Sequence, residues 1–198
     1  PKAPPPPPGA QNFQVFWIPA NYWACQGEKR LLEYIDACAA EGVNIGIELA
    51  GWAGQSVFQS EERLAETMRL YEVAVKRCRQ RGIWMFNSIL NNNCHLSKYG
   101  NKGYTFTSVW PQALRLLDCV KRLGPANQMI QPCAETQTAD GRLWEQTVLK
   151  ALPGWALVYN GDGGRPASSK GWPFFATHPC DLNGPVVRGS LDVDDCGK

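Results

Sequence analysis

Short apolar segments alternate with amphipathic helical segments between residues 13 and 160, and this alternation restricts the possible folds more than any other feature of the chain. The apolar segments are FQVFWI (13–18), VNIGIEL (43–49), IWMFNSIL (83–90), NQMIQPCA (127–134) and WALVYN (155–160). They are apolar almost throughout, which is typical of parallel strands that are buried on both faces. Helices are predicted between them, where apolar residues recur every three or four positions, at 28–40, 60–80, 107–123 and 139–152. The pattern predicts an α/β fold built on a parallel sheet.

The segment 60–80 carries the clearest helical pattern. Ser60 is its predicted N-cap, and Gly82 is predicted to end it. Its apolar positions step by four and three residues, and they are Leu64, Met68, Tyr71, Val75 and Cys78. We expect these side chains to face the sheet.

Three of the eight cysteines lie on apolar helix faces, at Cys38, Cys78 and Cys119. Small thiols at such positions pack a helix against a sheet, so we predict that all three are buried and reduced. The sequence leaves a disulfide open among four other cysteines, which are Cys25, Cys94, Cys180 and Cys196.

The number of strands decides between a closed barrel and an open sheet. Two further strands are predicted at 172–178 and 186–193, and no clear helix follows either of them. The first five strands begin about 36 residues apart, so eight such units would need roughly 284 residues, and complete barrels typically take about 250. We therefore predict a (β/α)8 TIM-barrel-like domain over residues 11–198 that is incomplete or has shortened C-terminal units. An open sheet of six or seven strands is the structural alternative.

Residues 1–10 are rich in proline and begin with PKAPPPPPG. Consecutive prolines favour a stiff, extended polyproline segment. We predict that this segment is a linker to other domains of a larger polypeptide.

Charge and residue spacing argue against several classes of function. A formal net charge of +2 is too small for an electrostatic interface with nucleic acid. No apolar run reaches the roughly 18 residues of a membrane span. The glycine-rich turn GDGG (161–164) lacks the spacing of a dinucleotide site, so no cofactor is predicted. The compartment stays open between secreted, virion-associated and cytoplasmic.

A metal site is the less favoured interpretation of five nitrogen- and sulfur-bearing side chains, which are Cys94, His95, His178, Cys180 and Cys196. The chain has only two histidines, and they form neither the HxH nor the HExxH spacing of common metallohydrolases. We therefore predict no bound metal.

Polar and aromatic side chains follow the predicted strands, at the edge where barrels of this kind carry their active sites. The acidic members, which are the candidate catalytic residues, are Glu48, Glu135, Asp162 and Asp194. The candidate substrate contacts are Asn21, Tyr22, Trp23, Trp52, Asn91, Tyr159 and His178. Sugars need such a mixture, because their rings stack on aromatic faces while their hydroxyls pair with amides and carboxylates. The sequence therefore predicts a carbohydrate partner.

The strand–helix rhythm, the passage RCRQRGIWMFNSIL and the acidic residue that closes strand four resemble the TIM-barrel glycoside hydrolases over residues 13–160. The resemblance is greatest to retaining enzymes that carry a Glu after strand four and a carboxylate after strand seven. It implies Glu135 as the acid/base and Asp194 as the nucleophile. Glu48 and Asp162 remain alternatives to Asp194.

A glycoside hydrolase is the leading functional hypothesis. One carboxyl group would donate a proton to the leaving oxygen, and the other would attack the sugar or activate water. The alternative is a non-catalytic carbohydrate-binding or structural module of a larger secreted or virion-type protein. The acids at the strand ends favour the enzyme, and the short strand count favours the module.

Overall fold

A computed structural model of the chain describes residues 16–17, 20–42, 47–48, 60–91, 106–134, 139–159, 174–177 and 187–188. Strands and helices alternate along most of these residues. They are β1 (Phe16–Trp17), α1 (Ala20–Ala40), β2 (Ile47–Glu48), α2 (Glu61–Arg81), β3 (Met85–Asn91), α3 (Phe106–Leu123), β4 (Gln128–Ala134), α4 (Ala139–Ala151), β5 (Ala156–Tyr159), β6 (Phe174–Thr177) and β7 (Val187–Arg188). The predicted linker at 1–10 lies outside the described residues.

Every strand pair in the described residues is parallel. β1 pairs with β2, and the remaining strands form one sheet in the order β3-β4-β5-β6-β7. β2 lies beside β3, so the strands follow one another in chain order. A doubly wound sheet reverses its strand order at a switch point. The described strands show no such reversal, and the predicted parallel order is confirmed for β1–β2, β3–β4 and β4–β5.

Helix α2 forms as its sequence predicts. The Oγ of Ser60 accepts the backbone N–H of Arg63 at 3.2 Å and so caps the first turn. Gly82 ends the helix with φ of 72°, in the left-handed region that glycine adopts without strain. Of the predicted inward-facing residues, Met68 is partly buried against the core. The others are buried, and they are Leu64, Tyr71, Val75 and Cys78.

The start of α1 differs from the prediction. The helix begins at Ala20 rather than Glu28, with one non-helical residue, Gly27, at φ 75° and ψ 175°. Residues 20–26 contain neither glycine nor proline, so nothing in them prevents helix formation before Gly27. Asn21, Tyr22 and Trp23 therefore lie in helical turns, and the predicted helix start at residue 28 was wrong.

The prediction for the helix cysteines is confirmed. Cys38, Cys78 and Cys119 are buried, and none of them forms a disulfide. Burial raises the pKa of all three thiols, and that of Cys78 to about 12. The four cysteines for which a disulfide was left open have side chains outside the described part of the structure.

Arg79 joins the end of α2 to the turn between α3 and β4. Its guanidinium donates to the carbonyls of Leu123 at 2.6 Å, Ala126 at 3.0 Å and Gly124 at 3.1 Å. These carbonyls belong to a helix end and the turn after it, where no further backbone N–H groups of the helix are available as donors.

None of the described helices has the apolar length that a bilayer crossing requires.

Candidate active site

Neighbouring described strands are paired close to one edge of the parallel sheet. Asn91 lies opposite Ala134 in β3 and β4. Tyr159 lies opposite Phe175, and Thr177 lies opposite Arg188. We call this the carboxyl edge, the edge at which parallel strands of barrel enzymes present their catalytic residues.

Two hydrogen bonds distinguish the faces of the sheet. Tyr71 of α2 donates its hydroxyl to Oε1 of Gln128, so Gln128 lies on the face that packs against the helices. Gln131 donates its Nε2 to Oγ of Ser88 at 2.8 Å, and both side chains are buried. Because strand side chains alternate between faces, residues 128 and 131 lie on opposite faces. We call the face of Ser88 and Gln131 the inner face.

Among the described residues, the ladder between β4 and β5 ends before the last residues of β4. Its pairs are Met129 with Ala156 and Ile130 with Leu157, whereas β3 and β4 stay paired as far as Asn91 and Ala134. Pro132 explains the stop, because proline has no N–H to donate. One hydrogen bond shows toward which neighbouring strand the peptide groups of β4 point. The N–H of Met85 in β3 donates to the carbonyl of Asn127 at 2.8 Å, so the carbonyl of residue 127 points toward β3. The N–H and C=O groups of odd-numbered residues in β4 thus point toward β3. Those of even-numbered residues point toward β5, and the carbonyl of Pro132 is one of them.

Trp144 of α4 forms a hydrogen bond with the backbone carbonyl of Pro132, which points toward β5. The indole N–H donates to this carbonyl at 2.7 Å, and the ring is fully buried. Trp110 of α3 packs edge-on against Trp144, with ring centroids 5.0 Å apart and planes at 83°. The last part of β4 is therefore paired to β3, and the carbonyl of Pro132 binds the indole of Trp144.

Six of the site residues predicted from the sequence have described backbones. Asn91 and Tyr159 are the last residues of β3 and β5, and Asn21, Tyr22 and Trp23 lie in α1. Glu48 ends β2 and lies opposite Trp17. The other candidates lie outside the described residues, and they are Trp52, Glu135, Asp162, His178 and Asp194. In the sequence, Glu135 directly follows Ala134 and His178 directly follows Thr177.

The described charged pairs with large pKa shifts lie on α1 and α2. Asp36 accepts from Arg77 at 2.7 Å and from Arg81 at 2.9 Å, and these bonds hold the pKa of Asp36 well below its ordinary value. Arg69 likewise binds Glu28 at 2.6 Å and Glu66 at 2.7 Å. The pairs of Asp36 and Glu28 tie α1 to α2, whereas the Arg69–Glu66 pair lies within α2. Among the described residues, no three acidic, histidine or cysteine side chains gather where they could hold a metal ion.

Two features were not predicted from the sequence. One is the hydrogen-bonded pair Ser88–Gln131 on the inner face, and the other is the hydrogen bond from Trp144 to the carbonyl of Pro132. A proline inside a predicted central strand was a detectable signal for the second, because prolines in sheets favour edges and interruptions. No local signal marked the first.

No model of a known protein family matches the sequence, and neither does any curated protein. Solved structures do match. A glycoside hydrolase family 5 protein from Bacteroides vulgatus is similar with a TM-score of 0.51 and 10% identity, over 74% of this chain and 36% of its own. Over the matched part, the chain has the fold of this TIM-barrel protein. The chain therefore spans about a third of the length of that structure.

Two other structures are similar at lower TM-scores. A glycoside hydrolase matches with a TM-score of 0.48 and 11% identity, over 78% of this chain and 38% of its own. A GH5_18 protein from Bifidobacterium longum subsp. infantis matches with a TM-score of 0.44 and 12% identity, over 76% of this chain and 43% of its own.

Proposed function

We propose that the protein is a glycoside hydrolase in which Glu135 and Asp162 are the catalytic carboxyl groups, at the mouth of a TIM-barrel-like sheet. The observation that carries this proposal is the strand register. Met129 pairs with Ala156, and Glu135 and Asp162 each follow their member of that pair by six residues. If this register continues to the carboxyl edge, the two acids would lie opposite each other on neighbouring strands, which supports the proposal.

The same row extends to both sides of the acids. It passes through Asn92 on the β3 side, because Asn91 pairs with Ala134. It passes through His178 on the β6 side, because Val158 pairs with Phe174. Such a row of four polar side chains, two of them acidic, would be able to bind sugar hydroxyls and transfer protons.

Alternation along β4 supports an inward orientation for Glu135. Gln131 lies on the inner face, and residues two and four positions further along a strand share its face. In barrels the inner face opens to substrate at the carboxyl edge. Glu135 is thus favoured as the proton donor, with Asp162 as the ionised partner.

The register gives less support to the other acids. The row reaches Gly189 in the last strand, because Ala176 pairs with Val187, and Asp194 lies five residues farther along the chain. Glu48 ends β2, which has no ladder pair with β3 among the described strands. Tyr22, Trp23 and Trp52 remain proposed sugar platforms on sequence grounds alone.

Glycoside hydrolysis has a direct test. The wild-type chain and the variants Glu135→Gln, Asp162→Asn and Asp194→Asn should be assayed against a panel of glycosides and polysaccharides for release of reducing ends. Glu135→Gln keeps the shape but removes the transferable proton, so kcat should fall by roughly 10²–10⁴-fold while sugar binding survives. Asp162→Asn should be similarly inactive, and Asp194→Asn is the matched control that should keep its activity.

Two results would overturn the assignment. One is an undiminished rate in Glu135→Gln, and the other is a wild-type chain that binds sugars but cleaves none of them. The second result would favour a non-catalytic carbohydrate-binding module.

A further inference from the structure

We propose that Asn87 of β3 binds one internal water molecule between helix α2 and the sheet, with its side-chain oxygen Oδ1 as the anchoring acceptor. The residues that build the site all belong to the described part of the chain. The inference goes beyond the proposed glycoside hydrolysis and does not depend on it, because Asn87 is not among the residues assigned to that activity.

The site belongs to a chain of three buried polar side chains, which are Tyr71 of α2, Asn87 of β3 and Gln128 of β4. They are 3%, 3% and 0% exposed. Asn87 and Gln128 share the helix-facing side of the sheet, because Met85 lies opposite Gln128 and strand side chains alternate between faces. The hydroxyl of Tyr71 bonds to both of them. Polar groups buried to this degree find their partners within the fold or in ordered water.

The backbone carbonyl of Gly124 sets the orientation of this chain of side chains. It accepts a hydrogen bond from the Nε2 of Gln128 at 2.6 Å, so the amide oxygen of Gln128 faces Tyr71. The hydroxyl of Tyr71 donates its only proton to that oxygen. The Tyr71 oxygen can therefore only accept from Asn87, and the amide nitrogen of Asn87 must face it.

This orientation leaves the Oδ1 of Asn87 as an acceptor without a donor. Among the described residues, it is the one buried side-chain polar atom that has no hydrogen-bond partner. Turning the amide over would not help. Its oxygen would then face the oxygen of Tyr71, whose proton Gln128 already takes, and the amide nitrogen would lack a partner instead. A buried acceptor left unpaired bears the full cost of its lost hydration, and a bound water removes that cost.

The surroundings supply further partners for the water. The hydroxyl oxygen of Tyr71 keeps a second lone pair after it has accepted from Asn87. Burial raises the pKa of Tyr71 most, and the thiols of Cys119 and Cys78 raise it further, so both thiols lie near its side chain. A thiol is a weak hydrogen-bond donor. A buried water typically makes about three hydrogen bonds, and two oxygen acceptors with a thiol donor provide that number.

Water NOE spectroscopy on the wild-type chain tests the site directly. A water held at Oδ1 should give a cross-peak between the water resonance and the β protons of Asn87, which do not exchange with solvent. The laboratory-frame and rotating-frame cross-peaks should have opposite signs, as they do for water that remains bound while the protein tumbles. The lack of any water cross-peak at these protons would overturn the proposal.

A count of long-lived internal waters by oxygen-17 magnetic relaxation dispersion is the second measurement. Asn87→Leu keeps a similar volume but has no acceptor, so the count should fall by one relative to the wild type. Leu70→Ala is the matched control on α2, where Leu70 is buried. It leaves an apolar cavity, which stays dry, so the count should not change. An unchanged count in Asn87→Leu, or an equal loss in Leu70→Ala, would overturn the assignment to Asn87. If Asn87→Leu does not fold, the water NOE of the wild type decides alone.

Discussion

Gln131 and Ser88 face each other across two neighbouring strands, and the Nε2 of Gln131 donates to the Oγ of Ser88 at 2.8 Å. Both side chains are buried, with 2% and 0% of their surface exposed. A buried polar pair of this kind must be satisfied internally, because water does not reach it. The pair therefore marks the face of β3 and β4 that lies opposite the face on which Gln128 contacts α2.

Removing the Ser88 hydroxyl should destabilise the fold. Ser88→Ala leaves a buried amide donor of Gln131 without this acceptor, which costs about 1–3 kcal/mol. A double-mutant cycle with Gln131→Met, measured by urea unfolding, should give a coupling energy of roughly 0.5–3 kcal/mol. Effects of the two substitutions that simply add would contradict the direct bond.

Core packing along α2 is tested by one pair of leucines. Leu70 is 1% exposed, whereas Leu143 on α4 is 59% exposed. Leu70→Ala should lower the free energy of unfolding by about 2–5 kcal/mol, because it removes buried methyl groups and leaves a cavity. Leu143→Ala is the matched control and should change it by no more than about 0.5 kcal/mol. Equal effects at the two sites would show that α2 does not pack as described.

The ion pairs of Asp36 predict an acid-dependent loss of stability. Hydrogen bonds from Arg77 and Arg81 depress the pKa of Asp36 below its ordinary value of 3.8 in the folded state. The stabilisation is therefore complete above pH 4 and is lost as the pH falls through the lower folded-state pKa. The stability difference between wild type and Asp36→Asn should be constant from about pH 7 to 5 and shrink below about pH 4. Arg77→Met should show the same dependence, and a difference that grows in acid would contradict the ion pairs.

The thiol of Cys78 should be chemically inert in the folded protein. Burial, with a smaller contribution from the nearby Cys38, raises its pKa to about 12, so almost no thiolate exists at pH 8. Iodoacetamide at pH 8 should leave Cys78 unmodified in native conditions and label it after unfolding in urea, as read by peptide mass spectrometry. Rapid labelling of Cys78 in the native sample would contradict its place in the core.

Local patterns were enough to predict most of the elements, and long-range register was not. The apolar steps of α2, its cap at Ser60 and its end at Gly82 follow from residues a few positions apart. The opposition of Ser88 and Gln131 depends on how two strands 43 residues apart align, which no local pattern encodes. The helix start was not predicted, because residues 20–26 carry no clear helical pattern although they are helical. Glu135 and Asp162 are both candidates from the sequence, and both lie outside the described residues, so their pairing is a proposal.

The role of Glu135 as proton donor is tested most directly by the leaving-group dependence of kcat in Glu135→Gln. The variant and the wild-type chain should be compared on two glycosides of one sugar, one with an alkyl and one with a dinitrophenyl leaving group. A dinitrophenolate departs without protonation, so it does not need the acid. The account predicts a loss of roughly 10²–10⁴-fold on the alkyl glycoside and a much smaller loss on the dinitrophenyl glycoside. Equal losses on both substrates, or no loss on either, would contradict it.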